Sequence, residues 1–135
     1  MNAGHSDAPL AKKLNLRDEQ RVWFEDMPAN IQDEIDEYAL ELIFVGSPAE
    51  GFDAGHIFVV DAETLTDKLT RLRPFLSSDG QIWVSWPKQG SDQQLALDQT
   101  DVLRIGMAAG FVDTKDCTVD EIWSGIKFVI PKAER

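Results

Sequence analysis

The apolar residues of this chain fall into short runs separated by segments with helical spacing, and this alternation constrains the fold more than any other feature. The longest runs, residues 42–45 and 57–60, have the length of a strand and are much shorter than a membrane span. Between such runs, four leucines recur at steps of four, three and four, which is the spacing of one helical face: Leu65, Leu69, Leu72 and Leu76. Strands that alternate with helices favour a mostly parallel sheet with right-handed crossovers.

Six segments are predicted to be strands: residues 21–26, 40–46, 56–61, 81–86, 111–119 and 126–130. The last two follow each other with only residues 120–125 between them, so they predict an antiparallel hairpin that closes the sheet. We therefore predict a three-layer α/β fold with a mostly parallel sheet of about six strands. It forms a single domain over residues 21–135, preceded by an N-terminal arm over residues 1–20.

Three helices are predicted to connect these strands. They are residues 30–39, the leucine-spaced helix between the cap Asp61 and the stop Asp79-Gly80, and a helix from the cap Asp98 or Thr100 to Ala109. The first should turn Ile31, Ile35 and Tyr38 inward, and the last should turn Val102, Ile105 and Ala109 inward. Gly110 should end the last helix, and residues 47–55 and 88–96, rich in glycine, proline or polar residues, are predicted loops.

The charge balance excludes several classes of partner. Acids outnumber bases 24 to 13, for a net charge of −11, whereas nucleic acids and anionic membranes attract an excess of Lys and Arg. We therefore expect neither as a partner. The acidity fits a soluble protein, and a basic protein partner is the alternative.

Cys117 stands alone, which excludes a disulfide framework and a cysteine-based metal site. Residues 1–7 show no signal-peptide pattern, so we expect a cytoplasmic location.

The order of elements resembles a known enzyme fold. The stretch from Phe52 to Ile130 resembles the C-terminal half of class I methyltransferases, which have a Rossmann-like sheet. The shared features are a Phe-Asp pair near a buried strand (Phe52-Asp53), a helix that ends in Asp79-Gly80, and a helix that ends in Gly110-Phe111 before a closing hairpin. The resemblance implies a methyltransferase-like fold.

Nearly the whole chain also resembles an uncharacterised bacterial family, a domain of unknown function. The matching segments are residues 9–14 (PLAKKL), 83–88 (WVSWPK) and 119–127 (VDEIWSGIK). Members usually carry a glycine in the turn after the arm, where this chain has Asp18-Glu19. The resemblance implies a shared fold and no particular activity.

The sequence lacks the residues that a methyl donor or a dinucleotide requires. Such cofactors need a glycine-rich turn after the first strand, because only glycine lets the backbone approach the ligand closely. Here that turn is residues 27–30 (MPAN), and Pro28 removes an N–H donor. The carboxylate that normally binds the ribose is absent from the end of the second strand, and Glu50 lies nearby in a predicted loop. We expect no cofactor.

No other catalytic or metal-binding pattern is present. Residues 51–55 (GFDAG) lack the Lys and Ser/Thr of a phosphate loop. His5 and His56 have no partners at metal-ligand spacing, and His56 fits a structural role in a buried strand. No serine has a neighbouring base in sequence, and Cys117 fits a core position. We therefore assign no catalytic residue and no metal ligand.

One candidate surface remains, at the carboxyl end of the predicted strand 81–86. Ligands of open α/β sheets bind beyond the carboxyl ends of the strands. If the final strand pairs with strand 81–86, residues 120–125 reach the same edge. The candidate residues for binding a ligand or partner are Trp86, Lys88, Asp120, Glu121, Trp123 and Lys127.

Two interpretations of this edge and two functions stay open. The tryptophans could form a binding site, or they could cover the end of the sheet while the lysines pair with acids. The first function is a non-catalytic binding or regulatory domain on a degenerate methyltransferase-like scaffold. The alternative is a small-molecule-binding protein, or an enzyme in which Lys88 holds an anion and Asp120 or Glu121 moves protons.

Overall fold

The computed structural model describes residues 8–88 and 97–135. Its helices are α1 Leu10–Lys13, α2 Ala29–Glu37, α3 Ala62–Leu72 and α4 Gln99–Ala108. Its strands are β1 Arg21–Glu25, β2 Ile43–Phe44, β3 Phe52–Phe58, β4 Leu76–Pro87, β5 Val112–Thr118 and β6 Trp123–Val129. Short 3-10 turns cover Pro48–Glu50, Arg73–Phe75 and Lys132–Glu134.

The strands form one six-stranded sheet in the order β2-β1-β3-β4-β6-β5. The pairs among β2, β1, β3 and β4 are parallel, and β6 pairs antiparallel with both β4 and β5. The prediction of a mostly parallel sheet of about six strands, closed by an antiparallel hairpin, is confirmed. The chain runs outward from β1 to β2 and then returns to the other side of β1 with β3, so the strand order reverses between β1 and β3.

Two hydrophobic clusters stabilise the sheet. One contains the buried leucines of α3 and Val102 and Ile105 of α4, packed on Val84 and Trp86 of β4. The other contains the buried residues of α1 and α2, packed on Trp83 of β4. Because Trp83 and Val84 are neighbours in one strand, the two clusters lie on opposite faces of the sheet. Leu10, Ala11, Leu14 and Leu16 belong to the second cluster, and Ala11 is fully buried.

The leucine-spaced helix ends earlier than the sequence predicts. α3 begins at the predicted cap, where Asp61 accepts a hydrogen bond from the Thr64 N–H at 2.7 Å. It ends at Leu72, because Pro74 has no N–H to donate and restricts the residue before it. Leu76 is therefore the first residue of β4 and not the last leucine of the helix.

Asp79-Gly80 lies inside β4 and does not end a helix. Gly80 has no left-handed backbone, and its role is close packing: a Cβ there would lie 2.7 Å from the Asp53 carbonyl oxygen. The pairing advances from Leu76 to Gln81 on β4 while it advances only from Phe52 to Ala54 on β3. The extra residues of β4 form a bulge against β3 at this point.

Other predicted boundaries also shift. The predicted strand 40–46 is reduced to the two exposed residues of β2, and β3 begins at Phe52, inside the predicted loop 47–55. In α2, Ile31 and Ile35 are buried as predicted, but Tyr38 is exposed because the helix ends before it. β6 begins at Trp123, so the hairpin turn is shorter than residues 120–125.

The last predicted helix is confirmed. α4 begins after Asp98, which forms a capping box with Asp101, and Gly110 follows it with φ of +95°, a left-handed conformation that favours glycine. The predicted loop 88–96 lies outside the described residues apart from Lys88.

Candidate functional site

Trp86 is a core residue near the carboxyl end of β4. Its side chain is 5% exposed and packs in the cluster that contains α3 and α4. It pairs with Ser124 of β6. Its indole is therefore almost completely buried.

Trp123 lies on the opposite face of the sheet. It pairs with Pro87, one residue beyond Trp86, and packs against the cluster that contains α1 and α2. Its ring meets the Phe58 ring edge-on, with centroids 5.0 Å apart. The sequence-based expectation that Trp86 and Trp123 converge is wrong, because neighbouring positions along paired strands point to opposite faces.

The turn between β5 and β6 does reach the carboxyl end of β4, as the sequence predicts. The Lys88 N–H donates to the Ile122 carbonyl at 2.8 Å. Asp120 shapes this turn: one carboxylate oxygen accepts from the N–H groups of Ile122 and Trp123, each at 2.8 Å. Its other oxygen accepts from the Asn30 side chain at 3.3 Å. Asp120 is thus a turn residue, while Glu121 is exposed.

Lys127 lies apart from this edge. It pairs with Trp83 in the middle of the sheet, and its ammonium donates to Asn15 Oδ1 at 3.1 Å. The structure therefore brings Lys88, Asp120 and Glu121 to one end of the sheet and separates Lys127 from them.

A depression of about 310 Å³ opens beside Trp86. Its lining is mostly polar: Trp86, Gln99, Asp116, Cys117, Thr118, Ser124 and Gly125. Burial raises the pKa of the Cys117 thiol, and the charges of Lys13 and Lys115 only partly oppose that effect. Cys117 is therefore a poor nucleophile at neutral pH.

The crevice where the strand order reverses, at the carboxyl ends of β1 and β3, is the place where this fold class binds its ligands. At this end of β1, Glu25 and Asp26 form ion pairs with Lys68 and Arg71 of α3. Glu25 accepts hydrogen bonds from Arg71 at 2.8 and 3.0 Å and from the Trp23 indole at 2.8 Å. Lys68 lies 3.3 Å from Glu25 and also binds Asp26.

The pKa of Glu25 reflects this network. Burial alone would raise the pKa of Glu25, but the hydrogen bonds from Trp23 and Arg71, the Arg71 charge and the Lys68 contact outweigh it. The pKa therefore lies below its ordinary value, and Glu25 is ionised at neutral pH.

A buried His–Ser pair lies on the face covered by α1 and α2. His56 Nε2 is 2.7 Å from Ser85 Oγ, and both residues are at most 1% exposed. Burial lowers the pKa of His56 to about 3. Its Nδ1 atom has no hydrogen-bond partner among the described residues. The imidazole is neutral and enclosed, so the pair has a structural role.

Sequence reasoning missed this pair and the ion network at β1. His56 and Ser85 are 29 positions apart and meet because β3 pairs with β4. Glu25 and Arg71 are 46 positions apart. The sequence did contain two signals of the ion network. Glu25 is a carboxylate at the end of the first strand, and Lys68 and Arg71 are cations on the leucine-spaced helix.

Within residues 8–88 and 97–135, no group of three or more His, Cys, Asp or Glu side chains is placed to hold a metal ion. No helix in this part of the chain is long and apolar enough to cross a membrane.

Several solved structures share this fold. Magnesium protoporphyrin IX methyltransferase from Synechocystis PCC 6803, solved with bound SAM, is 12% identical, with a TM-score of 0.55 over 90% of this chain and 74% of that one. The PH0226 protein from Pyrococcus horikoshii OT3 is 11% identical, with a TM-score of 0.57 over 90% and 86%. The ribosomal protein L11 methylase from Lactobacillus delbrueckii subsp. bulgaricus is 14% identical, with a TM-score of 0.51 over 83% and 70%. At these identities the likeness establishes the fold alone.

No curated protein matches this sequence. A family described as "Protein of unknown function (DUF3052)" matches residues 11–132. The match begins within α1 and ends after β6, so it includes the arm helix as well as the complete sheet. The chain therefore belongs to the DUF3052 family, and its fold resembles that of the solved methyltransferases.

Proposed function

We propose that this protein is a non-catalytic binding or regulatory domain of the cytoplasm, built on a three-layer methyltransferase-like scaffold that has lost its methyl-donor site. The observation that carries the proposal is that the carboxylates at the carboxyl end of β1 already pair with cations of α3. Glu25 pairs with both Lys68 and Arg71. The turn that follows β1 contains Pro28 at the start of α2, where a donor site needs glycine and free N–H groups.

The residues present do not fit adenosylmethionine. The carboxyl end of β1 presents the carboxylates of Glu25 and Asp26, which are already bound by Lys68. β2 ends at Phe44 without a carboxylate, and Glu50 binds the backbone N–H of Ser47 at 3.1 Å in a capping box. Neither strand end therefore offers a free group for the ribose hydroxyls.

Calorimetry with adenosylmethionine tests this proposal. We expect no saturable heat and no change in melting temperature, because a ligand that binds the folded state must stabilise it by mass action. The Synechocystis methyltransferase, whose structure holds SAM, is the positive control under the same conditions. Saturable binding by the present protein would contradict the proposal.

A second candidate function is supported by the depression beside Trp86. Its volume of about 310 Å³ and its polar lining suit a small polar molecule. A thermal-shift screen of metabolites, repeated with Ser124→Leu to fill the depression, tests this function. We expect stabilising compounds to lose their effect in Ser124→Leu and to keep it in Thr70→Leu, a substitution at an exposed site on α3. Hits that survive Ser124→Leu would exclude the depression as their site.

A further inference from the structure

Five basic side chains lie together where the N-terminal arm crosses the β5–β6 hairpin. They are Lys12, Lys13, Arg17, Lys115 and Lys127, and we call them the basic cluster. Lys12 and Lys13 lie in α1. Lys115 and Lys127 are directly opposite each other in the β5–β6 register, so they share one face of the sheet.

The cluster is unusual in a chain with this charge balance. The chain has 13 Lys and Arg residues against 24 acids. Outside the cluster, five of the eight bases form ion pairs: Arg21, Lys68, Arg71, Arg73 and Arg104. Among the described residues, none of the five cluster cations has a carboxylate within 4.0 Å. Like charges directly opposite in a sheet are destabilising, so the Lys115–Lys127 pair needs an explanation.

Three of the cations are held by neutral acceptors. Lys13 Nζ donates to the Thr118 carbonyl at 3.1 Å, and Lys115 Nζ donates to the Lys13 carbonyl at 3.0 Å. Lys127 Nζ donates to Asn15 Oδ1 at 3.1 Å. These bonds fix the ammonium groups without neutralising them. Each ammonium has three N–H donors, so donors remain for a ligand.

A purely structural role accounts for only part of the cluster. Lys115 and Lys127 bind the end of the arm helix and so attach α1 to the sheet. Lys12 and Arg17 are exposed, and within the described part of the chain their side chains make no hydrogen bond or ion pair. Attachment of α1 therefore explains neither of them.

The lowered pKa of Lys127 agrees with a cluster of cations that no carboxylate among the described residues neutralises. Burial lowers the pKa of Lys127, and the nearby charges of Lys115 and Arg17 lower it further. Asp79 and Asp116 line the neighbouring walls but form no ion pair with the cluster. A bound anion would relieve the repulsion among these cations.

The surface between the cations is concave. A depression of about 470 Å³ is lined by Lys12, Asn15, Arg17 and Lys127, and by the buried Gln81. A second, of about 390 Å³, is lined by Lys12, Lys13, Lys115 and Cys117. Lys12 lies between the two. Volumes of this size are typical of small-molecule sites.

We propose that the basic cluster is a binding site for a compact, multiply charged anion of the phosphate-ester class. A ligand that contacts the cations of both depressions needs at least two negatively charged groups. A long polyanion such as a nucleic acid fits poorly, because it would extend past the cluster over the rest of a chain whose overall net charge is −11. The basic cluster lies beside residues 79–81 of β4, away from the carboxyl ends of β1 and β3. The proposed anion site therefore does not depend on whether the methyl-donor site has been lost.

Titration of the ¹⁵N-labelled full chain with inorganic pyrophosphate at constant ionic strength tests the site. We expect saturable amide shifts at residues 12–17, 115–117 and 127, with sodium chloride as the control salt. The variant Lys12→Gln/Arg17→Gln should weaken binding about tenfold or more, since it removes two charge-assisted contacts. Its melting temperature should change little, because neither side chain makes a hydrogen bond or an ion pair within the described residues.

A matched control separates a site from general attraction. Lys132→Gln/Arg104→Gln removes the same two charges from other exposed positions, and we expect less than a twofold loss of affinity. Lys115→Arg/Lys127→Arg should retain binding. Absence of saturable shifts, or equal losses in the Lys12/Arg17 and control variants, would overturn the proposal. The proposal would also be overturned, in favour of a nucleic-acid site, if a single-stranded oligonucleotide bound more tightly than pyrophosphate at the same salt concentration and the Lys12→Gln/Arg17→Gln variant abolished that binding.

Discussion

Trp86 and Trp123 lie on paired antiparallel strands one position out of register, so their indoles face opposite sides of the sheet. The first packs with α3 and α4, and the second packs with Phe58 on the side of α1 and α2. The two rings therefore stabilise different halves of the core, and no single ligand can rest between them.

Trp86→Ala should lower the free energy of unfolding by about 3–5 kcal/mol, because it truncates a buried aromatic ring. Lys88→Ala should change it by about 0–1 kcal/mol, because Lys88 is partly exposed and uses only its backbone to bind the turn. Urea denaturation measures both values.

The double variant Trp86→Ala/Trp123→Ala tests the opposite orientation. Its effect should equal the sum of the single effects to within about 0.5 kcal/mol, as for sites that share no partners. A coupling energy above about 1 kcal/mol would mean that the rings touch or share a cavity.

The sequence identifies the architecture because its alternation of apolar runs and helical spacing is a local signal. β1, α2, α4 and the left-handed Gly110 follow from spacing, caps and a helix stop within a few residues. The closing hairpin follows from two adjacent strand patterns. Each signal needs no knowledge of the rest of the molecule.

The candidate site could not be predicted in the same way, because its geometry depends on register. A shift of one residue decides whether Trp123 shares a face with Trp86. Gly80 resembles a helix stop in sequence, and only the approach of the Asp53 carbonyl shows that it permits close packing. The basic cluster forms because the arm folds back over β5 and β6, which no local pattern indicates.

Gly106→Ala should destabilise the protein although alanine is the better helix former. A Cβ at Gly106 would overlap the buried Phe128 ring at Cε1. The gain in helix propensity is about 1 kcal/mol, and we expect overpacking to outweigh it, for a net loss of about 1–3 kcal/mol. Phe128→Leu in the Gly106→Ala background should recover part of this loss. Met107→Ala, at an exposed neighbour, should change stability by no more than about 0.5 kcal/mol.

Glu25→Gln should destabilise the protein by about 1–3 kcal/mol at pH 7, because it removes the charge that binds Arg71 and Lys68. The folded-state pKa of Glu25 lies below the ordinary pKa that a glutamate has in the unfolded chain. The stabilisation from Glu25 is therefore fully present above the unfolded-state pKa and is lost as the pH falls through the folded-state pKa. The difference between wild type and variant should shrink in acid.

Glu134→Gln is the matched control for Glu25→Gln. Glu134 pairs with Arg73 at 2.7 Å, but its side chain is 55% exposed. We expect Glu134→Gln to lower the free energy of unfolding by about 0–1 kcal/mol at pH 7. Equal effects of the two substitutions would show that the crevice between β1 and β3 is not held by its ion pairs.

His56 should make stability fall with acid over a defined pH range. Burial lowers the pKa of His56 from 6.5 in the unfolded chain to about 3 in the folded one. Between these values the unfolded state binds one proton more than the folded state, so acid favours unfolding. The free energy of unfolding that His56 contributes should fall by up to about 1.4 kcal/mol for each pH unit between pH 6 and pH 4. Above pH 7 the group contributes no slope, because it is neutral in both states.

His56→Gln isolates this contribution from that of the carboxylates. A glutamine amide keeps a hydrogen-bonding group near Ser85 Oγ but binds no proton in this range. It loses the stacking of His56 on Phe58, whose ring centroids are 4.5 Å apart, so we expect a lower stability than wild type at pH 7. The gap should narrow as the pH falls from 6 to 4, because only the wild type loses the histidine contribution. Imidazole ¹⁵N shifts of the folded protein provide an independent measurement and should remain those of a neutral ring at pH 4. A folded-state titration near pH 6.5 would mean that water reaches His56 and that the buried pair with Ser85 is open to solvent.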